Sequence, residues 1–253
     1  MNRNTCLIFS LLLLLSTPYL SAQGEEPLRV LFVGNSYTYF WNLPQTIAAM
    51  ATEEEFPLEA RQSTSGGTHW GHHWRGEREL KTREKIEHGS FDAIVFQNHS
   101  MSSLNRVDSM FHFGSLFAEA GKAKDASIYL YMTWAREWDP YMQAEISKQY
   151  QALAKKTGAQ VVPVGLAWER ARALRPGFAL YDEDQSHPSP LGTYLTACVF
   201  YGAFSGKSPV GLPNRVIAED SHGEKLYLNI QSQQNALFCQ KVAEEVLNQW
   251  NKD

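Results

Sequence analysis

The sequence predicts an α/β domain built on a mainly parallel sheet, and three observations carry that reading. Short apolar runs alternate with longer stretches of helical periodicity. The short runs are apolar at nearly every position, the pattern of strands covered on both faces, as helix-flanked parallel strands are. No Ser/Gly-rich linker, change of composition or repeat of about 20–50 residues divides the 253-residue chain, and single cores stop growing only beyond roughly 250 residues.

Residues 1–22, MNRNTCLIFSLLLLLSTPYLSA, read as a removable export leader, which leaves 23–253 as one domain. Arg3 supplies the positive start, Leu7–Leu15 is an apolar stretch broken only by Ser10, and Ser21-Ala22 offers small residues for cleavage. The stretch is shorter than the about 20 residues that a membrane-spanning helix needs. An exported protein, periplasmic or extracellular, with no stable membrane insertion is the expectation.

Four strands are expected in order: Leu28–Val33, Phe91–Phe96, Ser127–Met132 and Ala159–Val164, with Leu58–Ser63 as a weaker fifth. Helices are expected between and after them. Leu43–Glu55 carries Pro44 in its first turn, where no intrahelical N–H is lost. Glu77–His88 is charged and reads as an exposed helix, and Val107–Lys124 is amphipathic. Tyr141–Lys156 stops at Thr157-Gly158, since glycine accepts the left-handed backbone that ends helices. Pro190–Phe204 and Gln231–Trp250 close the series. Cys198 and Cys239 fall inside these last two helices and read as buried free thiols, with a disulfide between them the alternative in an exported protein; their spacing matches no zinc pattern.

Ligands of open parallel sheets sit beyond the C-terminal ends of the strands, so the residues following each strand are the candidates for chemistry. Four segments stand out there. After the first strand, Gly34-Asn35-Ser36-Tyr37-Thr38 gives the chain a sharp exit and places a serine at the start of a connection; a helix-capping serine is the structural alternative. Ser65-Gly66-Gly67-Thr68 follows the weak strand, and glycine lets a backbone N–H approach an oxyanion closely. Gln97-Asn98-His99-Ser100 follows an apolar strand and offers a side-chain amide. In Asp184-Gln185-Ser186-His187-Pro188 a carboxylate three residues before an imidazole can hold its Nδ1–H while Nε2 faces a nucleophile. Asp182 and Glu183 compete for the carboxylate role.

Together these four segments resemble the conserved blocks of the SGNH (GDSL-like) hydrolases, over roughly residues 28–204. Gly34–Thr38 is similar to the Gly-Asp-Ser-Leu nucleophile block, Ser65–Thr68 to the second block, and Asp184–His187 to the final Asp-x-x-His block. The resemblance implies a flavodoxin-like three-layer α/β/α sandwich and a catalytic triad of Ser36, His187 and Asp184. It also implies an oxyanion hole from the Ser36 and Gly66 amides with Gln97 or Asn98, and no metal or organic cofactor. Asn35 stands where the family has Asp, and Gln97-Asn98-His99-Ser100 departs from Gly-x-Asn-Asp, as in a divergent Gly-Asn-Ser branch. Gln97 is favoured slightly over Asn98 because it directly follows the strand.

Composition narrows the partners. The net charge of −4, or −5 without Arg3, and the lack of a basic tract exclude nucleic acid as the main ligand. Trp41, Trp70, Trp74 and Trp134 all follow strand ends, where indole faces could stack on sugar rings; Trp41, Trp70 and Trp134 are the substrate-binding candidates and core packing is the alternative. A glycan or small-molecule ester substrate follows, with hydrolysis of O-acyl, chiefly acetyl, groups. Two rival readings remain: a metal-dependent hydrolase using His69, His72 and His73, and a non-catalytic glycan-binding protein on the same fold.

Overall fold

The computed structural model describes residues 26–53 and 56–252; the expected leader lies outside them. Five parallel strands form one sheet: β1 (Leu28–Gly34), β2 (Leu58–Thr64), β3 (Ala93–Phe96), β4 (Ser127–Tyr131) and β5 (Gln160–Val162), in the order β2-β1-β3-β4-β5. β1 pairs with β2 from Leu28↔Leu58 to Gly34↔Thr64 and with β3 from Val30↔Ala93 to Val33↔Phe96. This is the flavodoxin-like order. Connections leave β1 on one side toward β2 and on the other toward β5, which opens a crevice at the C-terminal ends of β1 and β3.

Strand alternation divides the core into two layers, one on each side of the sheet. Val30, Phe32, Val95 and Tyr131 point to one face, where α2 (Leu43–Glu53), α8 (Val164–Leu174), α9 (Pro190–Ser205) and α10 (Gln233–Trp250) cover them. Leu31, Val33, Ile94 and Phe96 point to the other, under α3 (Trp70–Arg75), α4 (Thr82–His88), α6 (Val107–Lys122) and α7 (Met142–Thr157). Two single-turn helices complete the series, α1 (Ser36–Tyr39) and α5 (Ser102–Asn105). The three-layer α/β/α sandwich is therefore present.

α9 is buried along Leu191–Gly202, so it is apolar all round rather than striped. Its start is specified locally: the Ser189 hydroxyl accepts from the Leu191 and Gly192 amides, and Pro190 fills the first turn. Gly192 is required there, since a Cβ would stand 2.2 Å from the Leu180 carbonyl oxygen. That close approach locks the segment carrying His187 against the helix. Cys198 and Cys239 are buried, unpaired thiols on α9 and α10; burial first pushes the Cys239 thiol up to about 12.

Three elements differ from expectation. Glu77–His88 is not one helix: Arg78 and Glu79 adopt left-handed backbone (φ 55° and 60°), and regular helix begins only at Thr82. Val164 belongs not to β5 but to α8, an unforeseen helix that begins as soon as Pro163 ends the strand. An antiparallel hairpin, β6 (Arg215–Glu219) and β7 (Lys225–Ile230), was also unforeseen; it forms its own two-stranded sheet. Its strands are mostly exposed or half-buried, so they lack the two-faced apolar signature of the main sheet. Among the described residues no helix is long and apolar enough to cross a membrane.

Candidate active site

The serine is presented by a turn that the adjoining segments brace. β1 ends at Gly34, where a Cβ would lie 2.3 Å from Thr38 Oγ1 and 2.5 Å from Gln97 Oε1. Asn35 then caps α1, its Oδ1 accepting the Tyr37 amide at 3.0 Å, while its Nδ2 donates to the Thr68 carbonyl at 2.9 Å. An aspartate could make the first bond but not the second, so Asn35 ties the nucleophile turn to the Ser65–Thr68 segment. From below, Gln97 Oε1 accepts the Asn35 amide at 2.8 Å and the Thr38 hydroxyl at 3.0 Å. His73 adds a further brace. Its Nε2 lies 3.0 Å from the Gly34 carbonyl, which can only accept, so Nε2 carries the proton and Nδ1 accepts from Thr82 Oγ1 at 2.8 Å.

On this support the half-buried Ser36 Oγ lies 2.8 Å from His187 Nε2. His187 Nδ1 bonds Asp184 Oδ2, and Asp184 Oδ1 accepts the backbone amides of Ser186 (3.0 Å) and His187 (2.8 Å). An ionised carboxylate only accepts, so Nδ1 carries the imidazole proton and Nε2 is free to accept from the serine. Partial burial raises the Asp184 carboxyl pKa, but the hydrogen bonds from His187 and the two amides outweigh it and hold the group below its ordinary value. Asp182 is occupied otherwise, its Oδ1 accepting the Glu183 amide and its own amide donating to the His187 carbonyl. The three residues therefore form a connected relay.

The oxyanion side is less symmetric than expected. Ser36 opens α1, so its N–H has no intrahelical acceptor, and Gly66 sits on the exposed turn between β2 and α3. Gln97 does not offer its amide to the crevice: Oε1 holds the nucleophile turn and Nε2 donates to the Asn98 carbonyl. The slight preference for Gln97 is thus corrected, and its part is to support β1. Asn98 Oδ1 accepts the Trp70 amide (3.1 Å) and the His99 amide (2.9 Å), which fixes the side chain and leaves Nδ2 without an acceptor among the described residues.

No protein-family model and no curated protein matches the sequence. Solved structures do match the fold. A DUF4886 family protein from Bacteroides uniformis superposes with a TM-score of 0.70 over 88% of this chain and 95% of its own, at 16% identity. A protein from Slackia heliotrinireducens described as an SGNH hydrolase gives 0.60 over 71% of this chain and 100% of its own, at 23% identity. The fold is that of the SGNH hydrolases. The psychrotrophic esterase EstA from Pseudoalteromonas sp., solved inhibited by monoethylphosphonate, shares it with a TM-score of 0.54 over 71% of this chain and 97% of its own, at 13% identity.

On this SGNH fold the tryptophans divide differently from the sequence expectation. Trp70 is 1% exposed and packs against Phe96 in the core. Trp134 is 2% exposed, stacked between Tyr37 (ring centroids 4.6 Å) and Trp168 (3.8 Å), and its Nε1 donates to the Ser186 carbonyl. Neither can stack on a sugar ring: Trp70 fills the core, and Trp134 props the turn that carries His187. Trp41 is 44% exposed and remains at the rim, its Nε1 donating to the Pro188 carbonyl at 2.8 Å. Two site residues escaped the sequence reading. Phe40 stacks on the His187 ring at 4.5 Å, and Trp138 stands 63% exposed beside Glu137, whose amide donates to the Gln185 carbonyl. The signal for Phe40 was its place in the same nucleophile segment; Trp138 had none.

The three clustered histidines do not converge. His69 and His72 stack at 3.7 Å, each accepting a backbone amide on Nδ1, while both nitrogens of His73 are engaged beneath β1. Among the described residues no group of three His, Cys, Asp or Glu side chains is placed to hold a metal. His69, His72 and His73 are therefore not arranged as one ligand set.

Proposed function

We propose that the protein is an exported serine esterase that hydrolyses O-acyl esters, chiefly acetyl, on a carbohydrate. The observation that carries the reading is the 2.8 Å contact between Ser36 Oγ and His187 Nε2, backed by Asp184 on Nδ1. The fold of an SGNH hydrolase, shared with a named esterase, supports ester hydrolysis.

His187 Nε2 takes the Ser36 proton as Oγ attacks the ester carbonyl, and Asp184 holds the imidazolium that forms. The carbonyl oxygen becomes an oxyanion that the Ser36 and Gly66 amides and Asn98 Nδ2 can receive; each such donor is typically worth ~10²–10³ in turnover. His187 then returns the proton to the departing alcohol, and the acyl group stays on Ser36. Water enters by the same route, losing a proton to Nε2 as it attacks the acyl-serine; on collapse the Oγ–acyl bond breaks, Nε2 returns that proton to Ser36 Oγ, and the acid is released.

A chain-length series of p-nitrophenyl esters measured beside acetylated polysaccharides tests the reading. Acetyl preferred over longer acyl chains, with acetate released from the polysaccharide, is the expected result. A preference for long chains would replace it with lipolysis, and binding without turnover throughout would make the protein a glycan-binding module on a hydrolase fold.

A further inference from the structure

Arg136 is half-buried beside the nucleophile without an acidic partner. Its Nη1 donates to the Tyr37 hydroxyl and its Nη2 to Ser100 Oγ at 2.8 Å, both neutral oxygens. Tyr37 is the residue after Ser36, and its hydroxyl also meets Ser186, the residue before His187, so the guanidinium is tied to both segments that carry the proposed reacting pair. Among the described residues no carboxylate pairs with it, whereas Arg29, Arg61, Arg75 and Arg170 each hold one. A partly desolvated guanidinium ordinarily meets a carboxylate or phosphate.

The groups adjoining it on the oxyanion side repeat this bias. His99 is half-buried, and after burial itself the charges of Arg136 and then Arg106 hold its pKa down. Its Nδ1 lies 3.3 Å from the Met101 amide that donates to it, so a neutral His99 carries its proton on Nε2. His69 is the same case: Nδ1 accepts the Gly71 amide at 3.0 Å, and burial, followed by the neighbouring His72 and then Arg106, lowers its pKa to about 4. Both Nε2–H groups lack a protein acceptor, and Arg106 has no carboxylate partner among the described residues. Asp184 is committed to His187, and Glu77 to Arg75 and His72. In a chain of net charge −4, Arg136 and Arg106 thus lie within electrostatic reach of His99 without a carboxylate paired to either among the described residues.

We propose that the acylated alcohol carries a carboxylate, as in a uronic acid unit, seated against Arg136 and the donor wall of His99, His69 and Arg106. The inference rests on the esterase reading for the location of the acyl group, and it names the substrate class that the site selects. The carboxylate completes the hydrogen bonding of Arg136, and the neutral imidazoles donate to the sugar oxygens.

The test compares two ligands that differ only at the sixth carbon, a mono-O-acetyl methyl glucuronoside and the corresponding glucoside. Affinity is read by calorimetry on the Ser36→Ala protein, so the result does not depend on turnover; hydrolysis of p-nitrophenyl acetate by the unaltered protein checks the esterase reading separately. The expected preference for the uronoside is about tenfold, the worth of one charge-assisted hydrogen bond over a neutral one, and it shrinks as salt rises. Adding Arg136→Gln or Arg106→Gln lowers the uronoside-to-glucoside ratio, and Arg136→Lys keeps part of it. A purely structural Arg136 would lower both affinities and leave the ratio unchanged. Equal affinity in the Ser36→Ala protein, no binding of either sugar, or a ratio untouched by both arginine substitutions overturns the proposal.

Discussion

The Tyr37 hydroxyl and Ser186 Oγ lie 2.7 Å apart, joining the residue after Ser36 to the residue before His187. Arg136 donates to the same hydroxyl, which therefore joins three segments of the chain. Stacking on Trp134 fixes the ring from behind, and the Trp134 Nε1 also holds the Ser186 carbonyl. The Ser36–His187 contact is therefore braced by groups outside that hydrogen bond.

Tyr37→Phe keeps the stack and removes that bond. A loss of about tenfold in kcat with little change in KM is expected, because a small misplacement of catalytic groups costs rate rather than binding. Steady-state kinetics on p-nitrophenyl acetate, with a thermal melt as control, reads it. Unchanged kcat would show that the backbone alone holds the turn.

Ser36→Ala and His187→Ala should each abolish turnover of a short acyl ester while the circular dichroism spectrum stays unchanged. Asp184→Asn should lose on the order of 10⁴ in kcat, since an amide no longer enforces the Nδ1–H tautomer. Asp182→Asn is the control, and if it proves the worse lesion the carboxylate assignment is wrong.

Asn98 and Gln97 are adjacent amides with different expected effects. Asn98→Ala removes the free donor and should lower kcat by ~10²–10³. Gln97→Ala instead leaves the buried Asn35 amide and Thr38 hydroxyl without their acceptor, a loss of about 2 kcal/mol in stability that a urea titration measures. Normal stability in the Gln97 variant would refute its supporting role.

His73 makes stability depend on pH. Burial, the largest cause, lowers its pKa to about 4, against the smaller opposing effect of the Gly34 carbonyl. The ordinary value of 6.5 applies to the unfolded chain. Between those two values the unfolded chain binds the extra proton, so stability is full above about 6.5 and drains away as pH falls toward about 4. The side chain is 1% exposed, and the full span corresponds to about 3 kcal/mol. Denaturant midpoints from pH 7 to 4.5 should fall more steeply for the unaltered protein than for His73→Gln, which cannot titrate; parallel slopes would exclude His73 as the cause.

What could be read from the chain alone was what depends on neighbours in sequence. β1, β3 and β4 were legible because burial on both faces leaves a nearly continuous apolar run. The Asp184–His187 pairing was legible because three residues close one turn, and the Gly34–Ser36 exit because only glycine fits where Thr38 and Gln97 crowd the backbone. Tertiary packing decided the rest. Trp70 and Trp134 look like Trp41 in sequence, yet which of the three meets solvent depends on helices and loops arriving from elsewhere in the chain. Gln97 and Asn98 differ by one step along an exit from the same strand, and that step puts Gln97 Oε1 under the Ser36 turn and Asn98 Oδ1 on the Trp70 and His99 amides instead. Ser36 and His187 are 151 residues apart; their hydrogen bond exists because the sheet order brings the ends of distant strands to one edge, and no local spacing encodes that meeting.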